Sequence, residues 1–166
     1  EFILVLCRTC IIARGGIGQV YKNTTNSSIA TGDGMAIAYR AGLKIADMEF
    51  VQFHPTTLYI ENAPRFLISE AVRGEGGILR TEAGNTFMEK YDSRRELAPR
   101  DIVSRAVLSE MALTGASHVF LDVRHFEKGF FEKRFPAIFS YCVKSGIHPE
   151  KSLIPVRPTA HYMMGG

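Results

Sequence analysis

The sequence predicts an α+β fold, with a mixed body of helices and strands over about residues 45–162 and a segment of another domain in front of it. Three observations favour this class. Residues 99–113 carry apolar side chains at helical spacing. Residues 119–123 form a short apolar run that is typical of a strand, and residues 154–162 contain two prolines that keep the backbone extended.

The front of the chain predicts a strand, a glycine turn and a helix. Residues 2–13 are rich in Ile, Val and Leu, which is typical of a buried strand. This stretch is too short to span a membrane and lacks the small-residue cleavage site of a secretory signal. The helix covers residues 35–41, with Thr31 or Asp33 as its cap and Gly42 as its left-handed end.

The middle of the chain predicts a strand, a short helix and a hairpin. Residues 49–53 alternate between polar and apolar side chains, and Pro55 is expected to end the regular pairing of this strand. Residues 66–72 indicate a short helix that is stopped by Gly74. Residues 76–88 contain a polar turn between two short runs, which indicates a β-hairpin.

The last third of the chain predicts two further helical regions. The helix over residues 99–113 begins with Pro99, which suits the first helical position, and ends at Gly115. Residues 126–145 are expected to be largely helical, with an interruption near Pro136. The chain starts within a predicted strand and ends at two glycines, so both of its ends look cut.

Composition and charge restrict the possible functions. The chain has 166 residues, of which 46% are hydrophobic and 22% are charged, as in an ordinary globular protein. The net charge of +3 is too small to indicate a nucleic-acid partner, and the basic residues are scattered among acids. No stretch is long and apolar enough to predict a membrane partner.

The three cysteines and five histidines do not predict a metal site. Cys7 and Cys10 form a C-x-x-C pair, but no second pair exists to complete a zinc site. Two buried thiols within a strand are the favoured interpretation, and a redox pair is the alternative. The low cysteine count suits a reducing compartment.

Arg100 is the residue that most directly suggests a ligand. It lies in the first turn of its predicted helix, where the helix dipole disfavours a cation. A bound anion would remove this cost, since an arginine and a helix N-terminus together suit a carboxylate. A simple ion pair with Asp101 or Glu96 explains the position equally well.

Four other polar residues are candidates for the same kind of site. His54 lies at a strand end and is either a packed core residue or a hydrogen-bond donor to an anionic ligand. Ser69 and Glu70 together can bind a substrate through hydrogen bonds, or they lie at a helix end where Arg73 pairs with Glu70 or Glu75. His161 lies in an extended apolar run, where a satisfied buried histidine is the ordinary explanation.

Two glycine-rich turns suggest contact with a cofactor. Gly15 and Gly16 follow the first predicted strand, and residues 31–34 (Thr-Gly-Asp-Gly) precede the first helix. Such turns let backbone N–H groups reach a phosphate or a flavin ring, although plain structural turns have the same composition. Neither turn matches the G-x-G-x-x-G dinucleotide pattern.

Five motifs in a fixed order link the chain to a known family. They are Thr-Gly-Asp-Gly at 31–34, Glu-Phe-Val-Gln-Phe-His-Pro-Thr at 49–56, Ser-Glu-Ala-Val-Arg-Gly-Glu-Gly-Gly at 69–77, Arg-Asp-Ile-Val-Ser-Arg at 100–105 and His-Tyr-Met-Met-Gly-Gly at 161–166. In these motifs, and over nearly its whole length, the chain resembles the flavoprotein family of succinate dehydrogenase, fumarate reductase and L-aspartate oxidase.

The resemblance implies a domain plan and a cofactor. Residues 1–48 resemble a segment of the FAD-binding α/β domain, residues 49–162 the substrate-capping domain of the fumarate reductase-type flavoproteins, and residues 163–166 the return to the FAD-binding domain. FAD is expected to bind without a covalent link, mostly through parts of the family's fold outside these residues. The alternative for the isolated chain is an inactive, non-catalytic capping module.

The resemblance also implies roles for single residues. Arg100 is expected to be catalytic, as the proton-transfer residue. The other expected roles are substrate binding, for His54, Ser69, Glu70 and His161, and contact with FAD, for Gly15, Gly16 and Asp33. Arg14 departs from the family, which usually has threonine at that position.

Within the family, residues 96–101 resemble the L-aspartate oxidase branch, because Pro99 stands where the dehydrogenases and reductases typically have serine. This implies FAD-dependent oxidation of L-aspartate, a small dicarboxylate, to iminoaspartate, with oxygen or fumarate as electron acceptor. The reaction would serve NAD biosynthesis in the cytoplasm, with quinolinate synthase downstream. The alternative is the flavoprotein subunit of a succinate dehydrogenase or fumarate reductase, which binds an iron–sulfur partner.

Overall fold

A four-stranded antiparallel sheet organises the chain. The computed structural model describes residues 3–61, 63 and 65–166. Its strands are β1 (Val51–Leu58), β2 (Ile78–Arg80), β3 (Val119–Asp122) and β4 (Ile154–Met163), and they lie in the order β1-β4-β3-β2. Its helices are α1 (Asp33–Arg40), α2 (Glu70–Gly74), α3 (Arg100–Thr114), α4 (Phe130–Arg134) and α5 (Pro136–Lys144). The predicted mixture of helices and strands is therefore confirmed.

The elements with the strongest local patterns form as predicted. α3 begins directly after Pro99 and ends at Gly115, whose φ of +69° is a left-handed conformation that glycine adopts at little cost. β3 and β4 cover the two predicted extended stretches. The predicted interruption at Pro136 is confirmed, since α4 ends and α5 begins there, although the helical region starts only at Phe130.

β1 and β4 pair with two irregularities that cancel. The register runs Gln52↔Tyr162, Phe53↔Ala160, His54↔Thr159 and Thr57↔Arg157. The first irregularity leaves His161 without a partner in β1, and the second sets Pro55 and Thr56 against a single residue of β4. Both have the form of a one-residue bulge, a feature that re-aims side chains. Because they lie on opposite strands, the pairing outside them keeps one common register.

Pro55 does not end β1, and this prediction is wrong. The strand continues to Leu58 because the second bulge accommodates the residue that has no N–H to donate. Regular pairing is interrupted only locally and resumes at Thr57.

The predicted helix over residues 66–72 is wrong in its first half. The N–H of Leu58 donates to the carbonyl of Phe66 at 2.8 Å, and the N–H of Ile68 donates to the carbonyl of Thr56 at 3.1 Å. These apolar residues therefore extend along the outer edge of β1, where their backbone groups are paired, and the helix α2 begins only at Glu70.

The predicted hairpin over residues 76–88 is confirmed in part. β2 pairs with β3 over its full length. The second half of the hairpin forms only a single bridge, between Arg80 and Thr86. The N–H of Thr81 also donates to the carbonyl of Asn85 at 2.9 Å. A 3-10 turn at Met88–Lys90 replaces a longer second strand.

The hydrophobic core joins the sheet to α3, α4 and α5. Its fully buried members include Leu79, Val103, Val107, Leu121, Phe131 and Ile154. α3 packs against β1, and the hydroxyl of Ser104 donates to the carbonyl of Phe53 at 3.1 Å. This packing fixes the start of α3 beside the two strands that carry the candidate histidines.

The predicted buried strand over residues 2–13 is wrong wherever the structure describes it; Phe2 lies outside the described residues. Residues 3–13 form no strand, and Ile3 and Leu6 are 83% and 89% exposed. No described strand lies beside this segment, so its apolar side chains and backbone groups have no partner to pack or pair with.

α1 begins earlier than predicted. Its N-cap is Gly32, with φ of +83°, so neither Thr31 nor Asp33 caps the helix with its side chain. The predicted left-handed end is confirmed at Gly42, which has φ of +81°.

The cysteines differ in their surroundings. Cys7 and Cys10 are exposed, because they lie in the uncovered front segment, and the prediction of two buried thiols is wrong. Cys142 is buried in α5, and burial raises the pKa of its thiol to about 11. In the described ranges, no three His, Cys, Asp or Glu side chains are grouped so that they could hold a metal ion. The helices of these ranges are all too short or too polar to cross a membrane.

Leu121→Ala should lower the free energy of unfolding by about 2–5 kcal/mol, because it leaves a cavity at a fully buried position of β3. Leu113→Ala is the matched control, since Leu113 is 77% exposed and its truncation should change stability by less than about 0.5 kcal/mol. Equilibrium urea unfolding measures both. Equal effects of the two variants would contradict the assigned core.

Candidate active site

Arg100 is held by a carboxylate from another helix. Its Nε donates to Oε2 of Glu70 at 2.7 Å, and one terminal nitrogen donates to Oε1 of Gln52 at 2.9 Å. Its predicted alternative partners, Asp101 and Glu96, do not take this role in the structure. The ion pair therefore joins the first residue of α3 to the first residue of α2.

Glu70 receives a second guanidinium group one helical turn away. A terminal nitrogen of Arg73 lies 3.5 Å from its Oε1. Ser69 caps α2, since its Oγ accepts the N–H of Ala71 at 3.2 Å, and this cap fixes where Glu70 begins the helix. Burial alone would raise the pKa of Glu70, but the hydrogen bond from Arg100 and the charges of both arginines lower it below its usual value. Glu70 is thus a carboxylate at neutral pH.

Arg73 is a buried cation. Its side chain is 1% exposed, and one terminal nitrogen donates to the backbone carbonyl of Glu96. Its Nε and its other terminal nitrogen make no hydrogen bond to a described residue. Burial lowers the pKa of Arg73, while the neighbouring carboxylate of Glu70 acts in the opposite direction. The expected pairing of Glu70 with Arg73 is found, but Glu70 serves both arginines.

His54 is neutral and buried within β1. It is 1% exposed, and its Nδ1 accepts the N–H of Thr56 at 3.3 Å. Burial, followed by the charge of Arg100, lowers its pKa to about 3. The ring therefore carries its single proton on Nε2 at neutral pH. Both predicted alternatives therefore apply, since His54 is a packed core residue and its Nε2–H can still donate a hydrogen bond.

His161 lies beside His54, with their ring centroids 5.3 Å apart. Its Nδ1 is 2.7 Å from Oγ1 of Thr25, and its backbone carbonyl accepts from Nδ2 of Asn26 at 2.7 Å. Its ring also packs against Tyr162, with centroids 4.0 Å apart. Burial, followed by the charge of Arg100, lowers the pKa of His161.

The structure thus brings four predicted residues into one cluster: Arg100, Glu70, His54 and His161. Arg100 contacts Glu70 at 2.7 Å and Gln52 at 2.9 Å, two positions before His54 in β1, and the rings of His54 and His161 are 5.3 Å apart. Ser69 adjoins the cluster, and its hydroxyl already accepts the hydrogen bond that caps α2. Two guanidinium groups, one carboxylate and two neutral imidazoles can together bind a small anion.

The two glycine turns lie against each other. The N–H of Gly32 donates to the carbonyl of Gly16 at 3.1 Å, and Gly15 has φ of +80°. Asp33 is engaged by Arg14, whose guanidinium lies 3.3 Å from its carboxylate, and both side chains are about half exposed. The residue that departs from the family pattern therefore pairs with a predicted FAD contact.

Gly15 and Gly16 line a cleft of about 600 Å³ that also contains His161. Further wall residues are Thr25, Asn26, Met35, Tyr162 and Gly165. A turn without side chains lets a flat ring system approach the backbone, and the polar groups of the wall can bond its edge. These residues fit one side of a flavin, next to the anion-binding cluster.

Sequence reasoning missed three residues that build the cluster. Gln52 precedes His54 by two positions, so strand alternation could have placed both on one face. Thr25 and Asn26 lie in a polar stretch without periodicity, and their contacts with His161 depend on tertiary structure alone.

Residues 5–166 match the protein family described as FAD binding domain. L-aspartate oxidase 1 of Ralstonia nicotianae is 51% identical over 162 residues, which are 98% of this chain and 30% of the relative. L-aspartate oxidase of Vibrio cholerae is 49% identical over 156 residues, which are 94% of this chain and 29% of the relative. The chain thus spans about 30% of the length of these curated relatives.

Two solved structures are similar to the chain. A quinol-fumarate reductase with menaquinol molecules has a TM-score of 0.83 and 39% identity, with 93% of this chain and 30% of that chain covered. Mycobacterium smegmatis Sdh1 in complex with UQ1 has a TM-score of 0.75 and 36% identity, with 93% of this chain and 26% of that chain covered.

The buried His54 should make stability depend on pH in acid. Its pKa is about 3 in the folded chain and about 6.5 when unfolded, so only the unfolded chain takes up a proton between these values. Stability should therefore fall as the pH falls from about 6.5 towards 3. In His54→Gln this loss should be smaller, as measured by urea unfolding at several pH values. His125→Gln, at an exposed histidine, is the control. An unchanged slope in His54→Gln would contradict the burial of a neutral ring.

Proposed function

Since the chain belongs to the FAD binding domain family, we propose that it is part of an FAD-dependent L-aspartate oxidase, which converts L-aspartate to iminoaspartate. The observation that carries this proposal is the 2.7 Å pair of Arg100 and Glu70 beside two neutral histidines at a glycine-lined cleft. Relatives named L-aspartate oxidase, about 50% identical over almost the whole chain, support it further.

The charges of the cluster suit a dicarboxylate. Arg73 and Arg100 carry two positive charges against the single negative charge of Glu70, so one unit of positive charge remains for an anion. His54 and His161 add neutral hydrogen-bond donors for carboxylate oxygens. Ser69 is proposed to contribute from the start of α2, after a change of its present hydrogen bond.

Arg100 is the proposed proton-transfer residue. Oxidation of an amine to an imine removes a hydride and a proton from the substrate, and the proton needs an acceptor. A guanidinium group holds its proton up to a pKa above ~12, so it can exchange protons only with a close partner. The carboxylate of Glu70, 2.7 Å from Nε of Arg100, supports this role, because it can take the Nε proton of Arg100 while Arg100 takes the proton that the substrate loses. Arg73, on the other side of Glu70, restrains the carboxylate.

FAD is the cofactor that the family's description implies, and when bound it accepts the hydride. In this chain, Gly15 and Gly16 would expose backbone to the ring. Asp33 would contact FAD after release from Arg14, since the two are paired at 3.3 Å. Most contacts with FAD are proposed to come from the remainder of the enzyme.

We further propose that residues 49–162 form the substrate-capping domain and that residues 1–48 and 163–166 belong to the FAD-binding domain. The sheet and α2 to α5 lie almost entirely in the first of these ranges. The exposed apolar side chains of residues 3–12 support the second assignment, because a larger domain would cover them.

The wider role remains a prediction. We propose that oxygen or fumarate accepts the electrons, that the product serves NAD biosynthesis, and that quinolinate synthase acts downstream. The cytoplasm is the proposed location, without a nucleic-acid or membrane partner.

A second candidate is the flavoprotein subunit of a succinate dehydrogenase or fumarate reductase. The similarity to a quinol-fumarate reductase, at 39% identity and a TM-score of 0.83, favours it. Pro99 before the candidate arginine, and the higher identity to relatives named L-aspartate oxidase, favour the first candidate.

The two candidates are separated by an assay of the full-length enzyme with bound FAD. We expect hydrogen peroxide to form in the presence of L-aspartate and oxygen. Succinate oxidation without turnover of aspartate would contradict the proposed oxidase and support the dehydrogenase.

Arg100→Ala in the full-length enzyme should lower kcat by at least about a thousandfold, while the KM for aspartate rises much less, because the variant loses its proton acceptor. Arg105→Ala is the matched control, since Arg105 lies on the same helix, is 68% exposed and pairs with Asp101. It should keep kcat close to the wild-type value. A rise in KM alone for Arg100→Ala would identify the arginine as a binding residue.

A further inference from the structure

His54 and His161 are held by different kinds of hydrogen bond. Nδ1 of His54 faces the backbone N–H of Thr56, which can only donate, so the ring proton of His54 lies on Nε2. Nδ1 of His161 instead lies 2.7 Å from the hydroxyl of Thr25, which can either donate or accept. The direction of this hydrogen bond decides which nitrogen of His161 carries the proton.

The surroundings of Thr25 favour a donating hydroxyl. Among the described residues, its Oγ1 has no hydrogen-bond partner except Nδ1 of His161. If the ring donated, the hydroxyl hydrogen would have no acceptor among the described residues, whereas a donating hydroxyl satisfies both groups within the protein. Nε2 of His161 then carries the proton, and no described residue hydrogen-bonds to that nitrogen.

The hydroxyl is held in place by backbone contacts that do not involve the ring. Residues 23–26, here named the strap, run beside β4 where His161 lacks a partner in β1. The N–H of Thr25 donates to the carbonyl of Ala160 at 3.1 Å, and the N–H of Ala160 donates to the carbonyl of Asn23 at 3.0 Å. Nδ2 of Asn26 adds its 2.7 Å bond to the carbonyl of His161. The strap is thus fixed to β4 at Ala160 and His161, directly beside the ring that Thr25 contacts.

We propose that Thr25 is a positioning residue of the dicarboxylate site, whose hydroxyl donates to Nδ1 of His161 and thereby presents Nε2–H to a substrate carboxylate. The identity of the ligand rests on the proposed function, but the hydrogen bond does not. His54 presents Nε2–H as well, so the site offers two neutral donors beside Arg100.

The tautomer of His161 is measured by NMR on the full-length enzyme with ¹⁵N-labelled histidine rings. The signals of His161 are identified by their loss in His161→Gln. We expect an unprotonated, hydrogen-bonded Nδ1 and a protonated Nε2 at pH 7. A proton on Nδ1 would overturn the inference, whether or not the enzyme oxidises aspartate.

The effect on binding is measured by calorimetric titration of the full-length enzyme with succinate. Thr25→Val should weaken binding about tenfold, because Nδ1 of His161 loses its partner and the ring its fixed orientation. Thr25→Ser, which keeps the hydroxyl, should restore the Kd to within about twofold of wild type.

Thr24→Val is the matched control. It removes a hydroxyl from the same strap, but that hydroxyl bonds only backbone groups: it donates to the carbonyl of Ala160 at 3.0 Å and accepts the N–H of Asn26 at 3.1 Å. Its Kd for succinate should stay within about twofold of wild type even if its stability falls. Equal weakening by the two valine variants would reduce the strap to a structural support and overturn the inference.

The proposed function and the role of Thr25 can be contradicted separately. A wild-type enzyme that binds no succinate would contradict the proposed function, and the tautomer measurement would then decide the role of Thr25 alone. An enzyme that oxidises aspartate but has its proton on Nδ1 of His161 would keep the function and remove the inference.

Discussion

The carboxylate of Glu70 is the group on which the candidate site depends. It lies between the guanidinium groups of Arg73 and Arg100, and without it two like charges would face each other in a partly dry cluster. Arg100 would also meet the positive end of α3 without compensation. Because Glu70 begins α2 and Arg100 begins α3, a single ion cluster ties the two helix starts together. Ser69 contributes indirectly, since its cap sets the first residue of α2.

The two histidines of the cluster differ from the arginines in being neutral. Desolvation, aided by the charge of Arg100, keeps both rings neutral. A neutral imidazole still has one N–H that can donate to a carboxylate oxygen. The pairing of β1 with β4 brings the two rings within 5.3 Å, although His54 and His161 lie far apart in the sequence. In the proposed mechanism, binding by the histidines is therefore separate from proton exchange by Arg100 and its partner.

Much of the fold follows from local pattern, and the exceptions have a common cause. α3, β3 and the break at Pro136 depend on periodicity and on residues with fixed backbone preferences, so the sequence alone predicts them. The prediction for residues 66–68 is wrong because this segment pairs with a strand edge that no local signal reveals. The prediction for residues 3–13 is wrong because no described strand lies beside this segment. In the site, helix polarity pointed to an anion at Arg100, and the structure supplies it as Glu70. The residue roles came from the family resemblance, whereas the contact of Thr25 with His161 required coordinates.

The two bulges between β1 and β4 shift the register by one residue in opposite directions. The pairing is therefore shifted by one residue between the bulges, and it has the same register on both sides of them. A one-residue insertion or deletion in either strand would leave a register shift that the other bulge does not cancel. The side chains beyond it would then point to the wrong face of the sheet. Changes of length in this pair of strands are therefore tolerated only when both strands change together. His54 and His161 of the candidate site lie at these two bulges, so such a change of length would also move the side chains of the site.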